Sequence, residues 1–292
     1  MQDHSRYLEQ FAQMISFRGL TDNTLKSYTS YLKSYLSYLD DHLRKKPEDV
    51  SWEEMRAYIQ FIQKDRNLSG RTINGHIAQL RFLTTYVLHK PWDPYQLPTR
   101  KFDTYMPFVP TQEEVGHFID TLQNPKQKAM IAIMYSAGLR VCEVCRLRYE
   151  DISRKNMSIH VTRSKNRSDR YAILSKRALL ILSDYWKTCG KPMGWLFPGA
   201  HEGRHVVTFT VSRYISEHEK RIGWERRLTC HSFRHAFGTH LYENGADLAN
   251  IQALLGHKSL SSTLIYVRLG KIGAKSAASP FDSMGGDSDE QV

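Results

Sequence analysis

The chain has 292 residues, 41% of them hydrophobic, which is enough for two domains of ordinary size with a core each. Lys and Arg outnumber Asp and Glu by 41 to 30, and the formal charge of +11 favours a polyanionic partner, although many basic proteins have none. The polar start Met1-Gln-Asp-His-Ser-Arg, and the lack of any apolar run near the roughly 20 residues that span a bilayer, argue against a membrane protein and make the cytoplasm the expected location.

Residues 5–90 read as helices joined by short turns. Thr21 and Asp22 are N-cap types ahead of Leu25, Tyr28, Leu32, Tyr35, Leu36 and Leu39, whose three- and four-residue spacing predicts an amphipathic helix. Its Tyr/Leu stripe, which Tyr31 and Tyr38 extend, reads as core rather than as a platform for stacked bases. Ser51-Trp-Glu-Glu54 is a capping-box pattern that opens a helix running through Tyr58 and Ile62. A further helix from near Ser69 has Ile73, Ile77, Leu80, Phe82 and Leu83 as its apolar residues and presents Arg71, His76 and Arg81 as polar ones. The first domain is expected over 1–92. Pro91, Pro94, Pro98, Pro107 and Pro110 exclude a continuous helix, so 93–110 reads as a linker.

A second domain is expected over 111–270, opening with another helix start at Thr111-Gln-Glu-Glu114. An apolar helix at 126–137 runs up to Gly138, and Arg140 sits at the start of the next, V-C-E-V-C-R-L. Cys142 and Cys145 in that helix form C-x-x-C, but with only Cys189 and Cys230 besides, they read as buried thiols in a reducing compartment, not as zinc ligands or a disulfide framework. Alternation in Met157–Thr162 and Tyr171–Leu174 predicts a β-hairpin with Lys165 near its tip among Arg163, Arg167 and Arg170. Helices follow at 175–188, 206–221, 231–244 and 247–255, and the Gly-, Ser- and acid-rich 271–292 reads as a flexible tail. The expected fold class is mainly α with a small β-sheet: an all-helical N-terminal domain and a mixed α/β C-terminal one.

Three short motifs carry the chemistry. They are G-L-R at 138–140, H-S-F-R-H at 231–235, and L-L-G-H at 254–257, the last followed nine residues on by Tyr266. A phosphodiester reaction needs a nucleophile that can form an ester with phosphorus and cations to hold the charge on the non-bridging oxygens. Tyr266 suits the first task, and Arg140 and Arg234 the second, because a guanidinium stays charged and its planar fork can hold two phosphate oxygens. His231 and Arg234, three apart on one helix, share a face. Glu143, one turn from Arg140, can hold that guanidinium or form a plain surface pair. His231 and His235 have the spacing of a zinc helix, but Ser232 stands where H-E-x-x-H requires Glu, so no metal is expected.

From about residue 5 to 270 the sequence resembles the tyrosine recombinase, or phage integrase, family. The family order of Arg, hairpin Lys, His-x-x-Arg, His and Tyr falls on Arg140, Lys165, His231, Arg234, His257 and Tyr266. The resemblance implies a core-binding domain that clamps one side of double-stranded DNA, with Arg71, His76, Arg81, Arg163, Arg167 and Arg170 as candidate DNA contacts. It also implies a catalytic domain in which Tyr266 attacks the scissile phosphate to give a 3′-phosphotyrosyl intermediate. By the same resemblance His231 is a general acid/base, His257 a hydrogen-bond donor to phosphate, and Lys165 the acid for the departing 5′ oxygen. The implied assembly is a homo-tetramer on two paired inverted-repeat core sites, working through a Holliday junction, with accessory proteins in some cases and no cofactor. The implied setting is a bacterial cytoplasm, at the nucleoid. The alternatives are relaxation of DNA in the manner of a type IB topoisomerase, and a non-catalytic DNA-binding regulator with the same fold. Ser164 departs from the Gly that many relatives have beside the hairpin lysine.

Overall fold

Local capping and an inward Tyr/Leu surface build the first unit. The structure, a computed structural model, describes residues 4–102, 106–162 and 169–270, and its contacts divide the chain into Met1–Tyr105 and Met106–Val292. Helices α1 (Ser5–Phe17), α2 (Asp22–Tyr38), α3 (Trp52–Lys64) and α4 (Gly70–Phe82) make up most of the first unit. Thr21, Ser51 and Ser69 each accept a backbone N–H three residues on, and Glu54 closes the capping box at Ser51. Both α2 and α4 run on into single π turns, Leu39–Leu43 and Leu83–Val87, which the helical period alone does not predict. Phe11, Leu32, Leu39, Ile62, Ile73 and Leu83 fill the core, and Tyr35 and Tyr38 lie against Tyr58 with ring centroids 5.1 and 5.0 Å apart. Part of the 93–110 stretch read as a linker is held to this unit: Leu97 is buried, and the Asn74 side chain bonds both the N–H and the carbonyl of Arg100.

The second unit contains α5 (Gln112–Asp120), α6 (Pro125–Ser136), α7 (Val141–Cys145), α8 (Lys176–Thr188), α9 (Thr208–Arg221), α10 (Cys230–Glu243), α11 (Leu248–Leu255) and α12 (Ile265–Leu269). Between α7 and α8 lies a three-stranded antiparallel sheet in the order β1 (Ile152–Ser153), β2 (Ser158–Val161) and β3 (Arg170–Ile173). The hairpin strands are where alternation puts them. β1 is too short to alternate, and pairs Ile152 with Ile159. Every residue from Ala129 to Met134 is buried, so α6 is the central helix of this unit, consistent with its apolar sequence on all sides. A small separate cluster of Phe237, Ile251, Leu255 and Tyr266 joins α10, α11 and α12. No helix among the described residues is long and apolar enough to cross a membrane.

Candidate active site

Two glycines bring the motif residues together. Gly138 has φ +59° between α6 and α7, and a Cβ there would lie 2.3 Å from the Phe237 ring, so the turn that presents Arg140 packs directly on α10. Gly256 has φ +64° as the cap of α11, turning the chain so that His257 follows at once. Arg234, on α10, is only 4% exposed, and its guanidinium donates to the carbonyls of Gly138 at 2.5 Å and Leu255 at 2.6 Å. One side chain thereby ties the Arg140 turn to the end of α11. Burial, with Arg140 nearby, pushes its pKa down to about 10, so it is still charged at neutral pH.

Arg140 is the N-cap of α7 and forms a capping box with Glu143: its backbone N–H and its Nη1 both donate to that carboxylate at 2.9 Å, and its Nη2 reaches the Gly256 carbonyl at 3.4 Å. Arg170 meets the same carboxylate from the other side, at 2.9 and 2.8 Å. Burial works to raise the Glu143 pKa, but Arg170 and Arg140 outweigh it and hold the group at about 2. Glu143 is therefore a buried anion shared by two arginines and not a surface pair. Removing one partner from such a group costs roughly 3–5 kcal/mol.

The tyrosine lies close by, on the short helix α12. Tyr266 is 1% exposed, and a Cβ at Gly238 of α10 would lie 2.5 Å from its Cζ, so the ring rests on bare helix backbone. His257 stacks beside it, with centroids 6.2 Å apart and planes 11° from parallel, and its Nδ1 is 3.0 Å from the hydroxyl of buried Thr263. His235 flanks the other side at 6.1 Å. Burial raises the Tyr266 pKa above its ordinary value, while the charges of Arg234 and Arg140 work to lower it. His231 is exposed on the first turn of α10, with its ring 6.2 Å from that of His235.

Several expected residues are placed otherwise. Lys165, Arg163 and Arg167 lie outside the described residues, as does the tail 271–292. Arg170, expected to contact DNA from the hairpin, points inward and uses its whole fork on Glu143 and on the Leu254 carbonyl at 3.0 Å. His76, expected on a polar face, is buried with its Nδ1 2.8 Å from the Tyr58 hydroxyl, and burial pushes its pKa down to about 4. An imidazole can complete a core when a phenol satisfies it, and spacing on a helix does not distinguish the two cases. Arg71 and Arg81 are exposed, and Arg71 lies over the Phe102 ring. Sequence reasoning missed Gly238, Gly256 and Thr263. A glycine inside a helix and another just after one were the signals for the first two.

Two half-buried imidazoles make stability depend on acid. Burial holds His257 and His235 at about 4, against about 6.5 for an exposed histidine, so below that value the unfolded chain binds protons that the folded one does not. Their contribution is complete above about pH 6.5 and is lost as the pH falls toward 4, and Glu143 extends the loss below its ordinary value of 4.5. Melting temperature should be level near pH 7 and drop between pH 6.5 and 4. A melting temperature constant down to pH 4.5 would show that these imidazoles are already charged in the folded protein.

Residues 109–271 match the phage integrase family, and residues 7–94 match the N-terminal SAM-like domain of phage integrases. An integrase/recombinase of Sinorhizobium fredii is 34% identical, covering 94% of this chain and 88% of its own. The tyrosine recombinase XerA of Pyrococcus horikoshii is 30% identical over 91% of this chain and 90% of its own. Among solved structures, the post-cleavage complex of XerH recombinase with its difH substrate covers 91% of this chain and 82% of its own at 19% identity, with a TM-score of 0.70. A transposon integrase bound to a circular intermediate DNA covers 89% and 94% at 18% identity, with a TM-score of 0.72. The structural likeness is one of fold, but the two family matches follow one another along the chain in the order of its two units, and the sequence relatives run nearly its full length. The chain belongs to the phage integrase family of tyrosine recombinases, enzymes that break and rejoin DNA at specific sites.

Proposed function

We propose that the Tyr266 phenol oxygen attacks the scissile phosphorus, breaking the bond to the 5′ oxygen and leaving a 3′-phosphotyrosyl ester. The observation that carries this reading is the gathering of Arg140, Arg234 and His257 about one buried tyrosine. Arg140 and Arg234 hold the non-bridging oxygens, where fixed donors act most strongly on the charge of the transition state. His257 stays neutral near pH 7; with Nδ1 accepting from the Thr263 hydroxyl, its Nε2–H is the donor for phosphate. His231 assists proton transfer from the phenol. Tyr266 first leaves its seat against Gly238, because a ring 1% exposed cannot meet a phosphate. The ester keeps the energy of the broken bond, so a 5′-hydroxyl from the partner strand reverses the step without a nucleotide cofactor. The DNA is double-stranded, with an inverted-repeat core site, and four protomers on two paired sites pass through a Holliday junction, with accessory proteins where the site requires them. Domains 1–92 and 111–270, joined in sequence by 93–110, both bind the DNA.

Lys165 is assigned as the acid that protonates the leaving 5′ oxygen, with Arg163 and Arg167 beside it as DNA contacts. A thiolate leaves without a proton because its conjugate acid is far stronger. Lys165→Ala should cleave ordinary DNA slowly and recover on DNA with sulfur at the 5′ bridging position. Arg140→Ala should not recover, because the non-bridging charge it faces is unchanged. Equal defects of Lys165→Ala on both substrates would transfer the acid role to His231 or to another hairpin residue.

A further inference from the structure

The Arg–Glu–Arg cluster couples the hairpin to the phosphate site. Arg170 opens β3, pairs across the sheet with Val161, and lies five residues after Lys165 in the sequence. Its Nη1 and Nη2 each donate to one oxygen of Glu143, at 2.9 and 2.8 Å, and its Nε donates to the Leu254 carbonyl at 3.0 Å, so each of the three guanidinium nitrogens has a partner within the protein. Glu143 is an acceptor on both oxygens for Arg140 as well, through the backbone N–H and Nη1. The contact is tightly fitted: a Cβ at Gly256, next to His257, would lie 2.9 Å from Arg170 Cδ.

We propose that Arg170 is a positioning residue for strand cleavage: by clamping Glu143 it fixes the Arg140 guanidinium against the scissile phosphate and links that fixing to the seating of the hairpin. The inference rests on Arg140 being a phosphate-binding cation. With Arg170 absent, Glu143 would keep Arg140 as its only cation and could rotate with it toward solvent. With Arg170 present, both carboxylate oxygens have a fixed direction, and so does the nitrogen they hold. A guanidinium displaced by about 1 Å costs a reaction up to roughly 100-fold in rate.

The test is single-turnover cleavage of a nicked half-site, with binding to the same DNA and thermal melting measured in parallel. Arg170→Gln should bind within about threefold of the unsubstituted protein and cleave ~10- to 100-fold more slowly. Arg170→Lys keeps the charge but not the fork, so it should regain melting temperature while remaining slow; if the Gln variant does not fold, the Lys variant carries the test. The decisive substrates are the two methylphosphonate diastereomers at the scissile position, in which a methyl group replaces one charged oxygen. On the diastereomer that restores Arg140→Ala, the Arg170 variants should be restored in parallel, since both defects then concern a charge no longer present. An Arg170 defect that persists there while Arg140→Ala recovers would overturn the inference and leave the reading of Arg140 standing. Failure of both diastereomers to restore Arg140→Ala would instead remove the assignment of Arg140, and the inference with it. A large loss of DNA binding in Arg170→Lys, with cleavage of bound DNA unchanged, would restore Arg170 to the DNA contacts.

Discussion

Tyr266→Phe should bind its DNA half-site as the unsubstituted protein does, melt at nearly the same temperature, and give no covalent protein–DNA adduct. The substitution removes one oxygen and leaves the ring, which packs on Gly238 and stacks beside His257. Its burial in the cluster with Phe237, Ile251 and Leu255 is an apolar contact that phenylalanine reproduces. What disappears is the only atom of that side chain able to form an ester with phosphorus. Denaturing electrophoresis of a nicked substrate in EDTA-containing buffer reads the result directly. An adduct recovered from the Phe variant would assign the nucleophile to another of the chain's 16 tyrosines or to a serine.

Binding to the half-site should weaken steeply with salt. Neutralising about six to ten phosphates predicts a loss of affinity of roughly 10³- to 10⁵-fold between 50 and 200 mM salt. Arg71 and Arg81 are exposed, and alanine at either should reduce the slope of log affinity against log salt by about one without altering sequence preference. Buried His76 does not belong to it, and its replacement should act on stability alone. Affinity that stays level across that range of salt would contradict a clamp built on phosphate contacts.

Local structure was readable in the sequence at several helix starts and at the hairpin, although the Arg140–Glu143 pair, also within one turn, was left open between two readings. The capping boxes at Ser51 and Thr111 and the hairpin strands around Ile159 and Ala172 needed only spacing and residue type. The order of Arg140, Arg234, His257 and Tyr266 was readable through resemblance, and the chain does bring these four together. What spacing cannot supply is the partner of a charge. Arg170 has the same composition signal as Arg163 and Arg167, and only the fold shows that Glu143, 27 positions earlier, takes its fork. His76 is the same case in the first unit, since nothing near it in sequence points to the Tyr58 hydroxyl. β1 and the π turns after α2 and α4 depend on packing and not on period, so no pattern marked them.

Arg140 and Arg170 share the single carboxylate of Glu143 and Arg234 lies within reach of their charges, so at neutral pH this mostly buried cluster keeps more positive than negative charge among its described side chains. Like charges held at close range work against the compact state; the pKa of Arg234 is lowered chiefly by burial, and Arg140 and Arg170 add to it. On the proposed roles of Arg140 and Arg234, an arriving phosphate supplies the missing anion. The catalytic unit should therefore be more stable on DNA than off it, since a ligand that binds only the folded form shifts the folding equilibrium in proportion to its occupancy. On that reading substrate is also a folding ligand, and the domain should be at its firmest while its arginines hold a phosphodiester.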